Sequence, residues 1–260
     1  MNYTKVLGVP KGTAVCYSGY RNGQRAGHIY PSFDEVNEDL YIIEKLWQYI
    51  RLYSCDEHSK TVLEVIKEEK MDLKVMLGAY IEAEENNPNC PWGGGVYTPT
   101  QLVENKKNNQ QKMDVLIGLA NQFPDIIFTL SVGNEACVDW TDHLVSVDAV
   151  ISYVKYVKAN AQQPVTFCEN YVPWLDKLEP LVAEVDFISI HTYPVWEYKT
   201  IHEGMEFTKQ NYDAVAKKYP NKLVVITEAG WATQSNGYGI PVANVNDEVQ
   251  KIYYKALTHW

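Results

Sequence analysis

The chain has 260 residues, which is enough to bury a large core and is close to the usual size of one (β/α)8 barrel. Its formal net charge of −10 argues against nucleic acid or an acidic polysaccharide as a partner, because like charges repel. No apolar run is long enough to span a membrane, and residues 1–13 lack the apolar core of an export signal. The five cysteines are an odd number without a pairing pattern, so no disulfide framework is implied.

Short apolar runs rich in Val, Ile and Leu alternate with longer amphipathic stretches along the chain. Such runs are typical of parallel strands that are covered on both faces. The predicted strands are, in chain order, 13–17, 49–53, 73–81, 126–132, 165–168, 187–191 and 223–227.

The stretches between these strands have the apolar spacing of helices. Ser32 and Glu35 form a capping-box pattern at the start of the first one. Further helices are predicted over 58–70, 98–122, 141–161 and 246–259, and a loop rich in Asn, Pro and Gly covers 82–97. Right-handed crossovers between such strands give a parallel sheet with helices outside. We therefore predict one α/β domain over residues 1–260, a (β/α)8 TIM barrel.

Two points of this architecture stay open from the sequence. An open doubly wound sheet is the alternative, but no Gly-rich phosphate loop follows the first strand. The eighth strand of the barrel is also missing, which leaves the first and seventh strands as edges. The chain is a fragment, or a segment is supplied from elsewhere, or the strand count is wrong; we favour a truncated chain.

Polar residues cluster directly after the predicted strands, where catalytic residues of such barrels lie. Glu135 ends the fourth strand within Gly133-Asn134-Glu135, and Glu228 ends the seventh within Glu228-Ala229-Gly230-Trp231. Hydrolysis of a glycosidic bond needs two carboxylates, one to protonate the leaving oxygen and one to attack or to activate water. Either glutamate alone is more often a strand-end partner of an ion pair, but the two together favour glycosidase chemistry.

These two motifs recur with two others in family order, Ile50-Arg51-Leu52-Tyr53 at the second strand and Tyr193-Pro194 after the sixth. In this respect the chain resembles glycoside hydrolase family 17, the β-1,3-glucanases of the large clan of retaining barrels. The resemblance covers nearly all of the chain. It implies a cofactor-independent retaining endo-β-1,3-glucanase that acts on neutral, laminarin-like β-glucan.

The resemblance also implies a role for individual residues. Glu135 would be the acid/base and Glu228 the nucleophile. Asn134 would bind the sugar 2-hydroxyl, Tyr193 would hold Glu228, and Arg51 would keep the nucleophile ionised. The remaining predicted substrate contacts are Tyr17, Tyr53, Glu169, His191, Trp196 and Trp231. Trp231 would floor the central subsite, and His191 departs from the Asn that is more common at its position in the family.

Aromatic residues are abundant, with 19 Tyr and 7 Trp, and such rings either fill cores or stack on sugars. Those near predicted strand ends also include Tyr20, Trp92, Trp140, Trp174 and Tyr198. Four cysteines and three histidines lie in the same regions, namely Cys16, Cys55, Cys137, Cys168, His58, His143 and His191. None of them has CxxC or HxxxH spacing, so we expect no metal and no other cofactor.

Alternatives to β-1,3-glucan hydrolysis remain. They are a β-1,3-glucan transglycosylase, another β-glycanase of the same clan acting on β-1,4 or mixed linkages, and a non-catalytic glucan-binding barrel. A polymeric substrate predicts an extracellular or periplasmic location, with a cytoplasmic one left open. The oligomeric state is also open, and we favour a monomer.

Overall fold

The structure is a computed structural model that describes residues 2–235, 237 and 240–260. Its strands are β1 Ala14–Cys16, β2 Tyr49–Leu52, β3 Lys74–Ala79, β4 Ile127–Asn134, β5 Val165–Asn170, β6 Ile188–Thr192 and β7 Val224–Ala229. Its α-helices are α1 Tyr3–Leu7, α2 Phe33–Ile43, α3 Glu57–Glu68, α4 Pro99–Gln122, α5 Val147–Asn160, α6 Tyr171–Leu175, α7 Ile201–Lys218 and α8 Asp247–Thr258. Short 3-10 turns cover Glu179–Ala183, Pro194–Glu197 and Val242–Asn244.

The seven strands are parallel and adjacent in chain order, from β1 to β7. They form a nearly closed barrel with helices outside, which is a TIM barrel missing one strand, and this confirms the predicted fold class. No backbone pairing joins β7 to β1 within the described ranges. The two edge strands still approach each other, because the Cys16 thiol donates to the Thr227 carbonyl at 3.3 Å.

Local sequence signals explain where the helices begin. The predicted capping box is present at α2, with Ser32 and Glu35 bonding reciprocally, and equivalent boxes start α4 and α7. α5 begins at Val147 rather than at 141, because Ser146 accepts from the Ala149 N–H and caps the helix there. α1, α6 and α7 were not predicted from the sequence. No described helix is long and apolar enough to cross a membrane.

The core lies between the barrel and its outer helices, with a smaller cluster inside the barrel. Leu7 of α1 belongs to this inner cluster with Met76, Cys168 and Phe187. Phe187 directly precedes β6, so α1 covers the end of the barrel where the strands begin. The opposite end, where the strands finish, therefore carries the polar side chains.

Candidate active site

Four strands bring polar side chains together at the carboxyl end of the barrel. Arg51 comes from β2, Asn134 from β4, His191 from β6 and Glu228 from β7. The Arg51 guanidinium donates to Glu228 through Nη1 and to Asn134 Oδ1 through Nη2, the latter at 2.6 Å. Residues from distant parts of the chain thus meet in one hydrogen-bonded group.

Glu228 is held on both of its carboxylate oxygens. Arg51 donates to Oε1, and the Tyr193 hydroxyl donates to Oε2 at 2.7 Å. Burial by itself would raise the pKa of this carboxyl, but the charges of His191 and Arg51 and the Tyr193 hydroxyl hold the pKa below its usual value. Glu228 is therefore ionised and oriented at neutral pH.

Glu135 has a different environment because it follows the end of β4. Gly133 has φ +86° and Glu135 itself has φ +47°, and the register of β4 against β5 shifts between Ser131 and Asn134. The Glu135 N–H donates to the Cys168 carbonyl at 2.9 Å. This turn leaves the Glu135 side chain 30 % exposed, whereas that of Glu228 is 8 % exposed.

Gly133→Ala is expected to lower the free energy of unfolding by about 1–3 kcal/mol and to reduce activity. A Cβ at this position would lie 2.8 Å from Phe167 and 2.9 Å from Ile81, and its φ is one that L residues rarely adopt. Chemical denaturation and kcat measure the two effects.

Gly118→Ala is the matched control for this substitution. Gly118 lies inside α4, and a Cβ there meets nothing within 4 Å. Alanine favours a helix interior, so the free energy of unfolding should rise by about 0.5–1 kcal/mol without a change in kcat. Equal stability changes in the two variants would contradict the role given to the Gly133 turn.

The two carboxylates are close enough to act on one bond. Glu135, His191 and Glu228 each offer one ligand atom, and these atoms all lie within 4.8 Å of one another. Carboxyl groups roughly 5 Å apart are typical of retaining glycosidases, whereas inverting enzymes leave about 6.5–9.5 Å for a water. The arrangement therefore suits direct attack by one carboxylate and protonation by the other.

The same three residues could in principle hold a metal ion. Both oxygens of Glu228 are already occupied by Arg51 and Tyr193, and the guanidinium would repel a cation placed beside it. The positive charges around this carboxylate thus disfavour a metal ion at this position.

The predicted substrate contacts fall into two groups. Tyr53 lies beside Arg51, whose guanidinium carbon is 4.6 Å from the ring centroid, and it is part of the polar group. Trp196 is exposed on the turn after β6, and Trp92, Trp140 and Tyr198 are exposed on loops at the same end of the barrel. Of these, the exposed rings of Trp196 and Trp140 can stack on sugars.

Other predicted contacts are used for packing. Tyr17 is buried and donates to Asp39 at 2.9 Å, and Tyr20 stacks on His58. Trp174 is fully buried in the core. Trp231 is 3 % exposed, packs against Tyr253 of α8 and donates to the Asn244 carbonyl. The geometry thus gives Trp231 no ring face to floor a subsite.

Glu169 is also not in a position to contact a sugar. Its side chain is fully buried, and its two oxygens accept from the N–H groups of Cys137 at 2.8 Å and Asn170 at 2.7 Å. Successive residues of a strand point to opposite faces, which is why Glu169 lies behind the sheet while its neighbour Cys168 lies inside the barrel. Glu169 instead anchors the loop that follows Glu135.

Glu169→Gln is expected to lower the free energy of unfolding by about 1–3 kcal/mol, because an amide NH2 would face a buried backbone N–H. Burial and the charge of Glu135 raise the pKa of Glu169 to about 8 from its ordinary 4.5, against the effect of its two N–H donors. Between pH 4.5 and about pH 8 the Glu169 carboxyl has lost its proton in the unfolded chain but keeps it in the folded chain. The free energy of unfolding of the wild type therefore falls as pH rises. The difference in the free energy of unfolding between wild type and Glu169→Gln should therefore become smaller from pH 5 to pH 8, as measured by urea titration.

Glu248→Gln serves as the control, since the Glu248 side chain is 79 % exposed and the same change should alter stability by less than about 0.5 kcal/mol. If Glu169→Gln raised KM without changing the unfolding midpoint, Glu169 would be a substrate contact after all.

Two further residues of the site, His143 and Cys168, were considered from the sequence only as metal ligands, and no metal was expected. His143 contacts the Asn134 carbonyl through Nε2 at 2.9 Å and the Tyr80 hydroxyl through Nδ1 at 2.9 Å, and so supports the end of β4. Cys168 lies below His191, and although burial opposes it, the charge of Arg51 lowers the pKa of the thiol to about 7. Their position near the ends of predicted strands was the sequence signal that could have placed them in the site.

The sequence matches the family model described as the BtgE/BtgC glycoside hydrolase domain over residues 14–259. The chain belongs to this family. It is therefore a glycoside hydrolase domain, in agreement with the chemistry that the paired carboxylates allow. No curated protein has a matching sequence.

Solved structures with the same fold support this assignment of the barrel. An endo-laminarinase from Formosa superposes with a TM-score of 0.83 at 24% identity, covering 100% of this chain and 77% of that one. A β-1,3-glucanosyltransferase mutant from Rhizomucor miehei, in complex with laminaritriose, gives a TM-score of 0.71 at 20% identity, with 94% and 80% covered. A GH2 β-galacturonidase from Eisenbergiella tayi gives 0.64 at 15% identity, with 95% and 41% covered.

Proposed function

We propose that this chain is the catalytic domain of a retaining endo-β-1,3-glucanase that hydrolyses neutral, laminarin-like glucan. The observation that carries the proposal is the pair Glu135 and Glu228, whose nearest ligand atoms lie within 4.8 Å and whose environments differ. Glu228 is buried and held ionised, whereas Glu135 is partly exposed and can reach a leaving group.

The two carboxylates carry out a double displacement. Glu228 attacks the anomeric carbon, the bond from that carbon to the leaving oxygen breaks, and Glu135 gives its proton to that oxygen. In the second step Glu135 takes a proton from water, the water oxygen attacks the anomeric carbon, and Glu228 is released as a carboxylate. No cofactor takes part.

The residues around the pair orient the reactants. Arg51 fixes the Asn134 amide through its oxygen, which leaves the amide nitrogen as the donor for the sugar 2-hydroxyl. The Tyr193 hydroxyl stays protonated, because burial and the charge of Glu228 keep its pKa far above the usual value, and it therefore remains a donor to the nucleophile. Trp196 and Trp140 offer exposed rings on which glucose units stack.

The substrate class rests on the relatives and on charge. Two of the similar solved structures have names that refer to β-1,3-glucan, as a laminarinase and as a glucanosyltransferase. The net charge of −10 favours a neutral polymer over an acidic one. Since such a polymer does not enter cells freely, the enzyme would act outside the cytoplasm.

A panel of laminarin, lichenan, cellulose and galactan tests the proposal. We expect new reducing ends from laminarin, an early fall in its chain length, and a first-formed β-anomer in proton NMR. A first-formed α-anomer would contradict the retaining mechanism, and preference for cellulose or galactan would contradict the linkage. Binding to laminarin without new reducing ends would indicate a non-catalytic glucan-binding barrel.

Transglycosylation is the second candidate, because a solved structure with this fold is a glucanosyltransferase. A sugar hydroxyl then replaces water in the second step. Mass spectrometry at high laminari-oligosaccharide concentration separates the two activities, since only a transglycosylase converts most of the donor into longer products.

A further inference from the structure

His191 is placed between the two carboxylates. Its side chain is fully buried, with Nδ1 2.8 Å from Glu135 Oε1 and Nε2 3.3 Å from Glu228 Oε1. The first contact has hydrogen-bond geometry, whereas Nε2 lacks an aligned partner among the described residues. Each ring nitrogen thus faces one carboxylate.

The charge of this imidazole follows from its neighbours. Burial lowers its pKa, but the charge of Glu228 and contacts with Cys168 and Glu135 outweigh burial and the repulsion from Arg51, and raise the pKa to about 9. Glu169, behind β5, also interacts with this imidazole. His191 is therefore an imidazolium at neutral pH, and only this form has an N–H on both nitrogens.

The proposed reaction moves one negative charge between these carboxylates. Before attack the charge is on Glu228, while Glu135 holds the proton for the leaving oxygen. Once the glycosyl ester has formed, Glu228 is neutral and Glu135 has become the carboxylate. Water then returns a proton to Glu135, and the charge returns to Glu228.

We propose that His191 is a positioning residue that keeps one positive charge beside this negative charge in both halves of the reaction. The inference rests on the proposed double displacement. Because the imidazolium touches both carboxylates, it stabilises either ionised partner without moving and without transferring its own protons. Arg51 is placed differently, since among the described residues it forms its carboxylate ion pair with Glu228.

His191→Asn tests the proposal, because the amide keeps a donor but carries no charge. With an unactivated laminari-oligosaccharide the first step limits the rate, and with a dinitrophenyl glycoside the second step does. We expect both rates to fall by about 10²-fold, as for the loss of one preorganised charge-stabilising donor. With the dinitrophenyl glycoside, where the limiting step needs Glu135 as a base and not as an acid, the alkaline limb near pH 9 in the wild type should disappear.

His202→Asn is the matched control, as His202 is exposed on α7 and the same substitution should leave both rates unchanged. A loss confined to one step, or an alkaline limb that remains in His191→Asn with the dinitrophenyl glycoside, would overturn the proposal.

A second measurement does not depend on activity. Nitrogen NMR of the histidine rings, assigned by the signal missing from His191→Asn, should report an imidazolium at pH 7 in the wild type. In Glu228→Gln the titration should move to lower pH, because a neighbouring negative charge is gone. A neutral His191 at pH 7 overturns the proposal. If the wild type cleaves no glucan while the NMR behaves as expected, the proposed substrate is wrong. The finding that a charged His191 lies between Glu135 and Glu228 is then still supported.

Discussion

Glu228→Gly is expected to stop glucan hydrolysis, with kcat lowered by at least about 10⁴-fold. The residue that forms the covalent intermediate is gone, and no other described carboxylate is held by both Arg51 and Tyr193. Initial rates on laminarin and on a dinitrophenyl glycoside measure the loss, which should be large on both because the nucleophile acts whatever the leaving group.

Azide gives this prediction a chemical signature. In Glu228→Gly the small anion can occupy the space of the missing carboxylate and attack the dinitrophenyl glycoside from the same side. A single displacement inverts the anomeric centre, so the product should be an α-glycosyl azide. A β-glycosyl azide would place the nucleophile elsewhere.

The same substitution removes the partner of buried positive charges. Leaving Arg51 without Glu228 is expected to lower the free energy of unfolding by about 3–5 kcal/mol. Glu228→Gln retains the shape of the side chain and a hydrogen-bond acceptor for Arg51, so it should fold and still be inactive. Near-native hydrolysis by folded Glu228→Gln would refute the assignment.

Glu135→Ala is expected to lower kcat on laminarin by about 10²–10⁴-fold, the usual value of a general acid and base. A dinitrophenol leaving group needs no protonation, so the first step on that substrate should remain fast and the glycosyl-enzyme should accumulate. Azide should then accelerate turnover and give a β-glycosyl azide, because two inversions retain the configuration.

Glu85→Ala is the control for this variant, since Glu85 is an exposed residue of the loop after β3. We expect wild-type rates and no effect of azide. If Glu135→Ala lost activity equally on activated and unactivated substrates, Glu135 would be a structural residue rather than the acid.

The order of the strands and the places of the two glutamates were predictable from the sequence. Continuous apolar runs such as that of β3 indicate buried parallel strands, and capping residues such as Ser32 and Thr98 set helix starts through local hydrogen bonds. Glu135 and Glu228 were found because a strand end in a barrel defines which end of the molecule a residue occupies.

Side-chain direction and depth were decided only by the tertiary structure. Glu169 lies near the end of β5 much as Glu228 lies near the end of β7, yet the alternation of side chains along β5 places it behind the sheet. The turn at Gly133 leaves the Glu135 side chain partly exposed. Trp231 comes three residues after Glu228 but is buried by α7, which precedes β7 in the chain, and by α8, which follows it. His191 became the link between the carboxylates because three strands distant in sequence meet there. The sequence alone thus determined the strands, the starts of α2, α3, α4 and α8, and the end of the barrel on which polar residues lie, since these depend on local periodicity and capping. Which of those residues touch one another was decided by strand register and helix packing, which are interactions between distant segments.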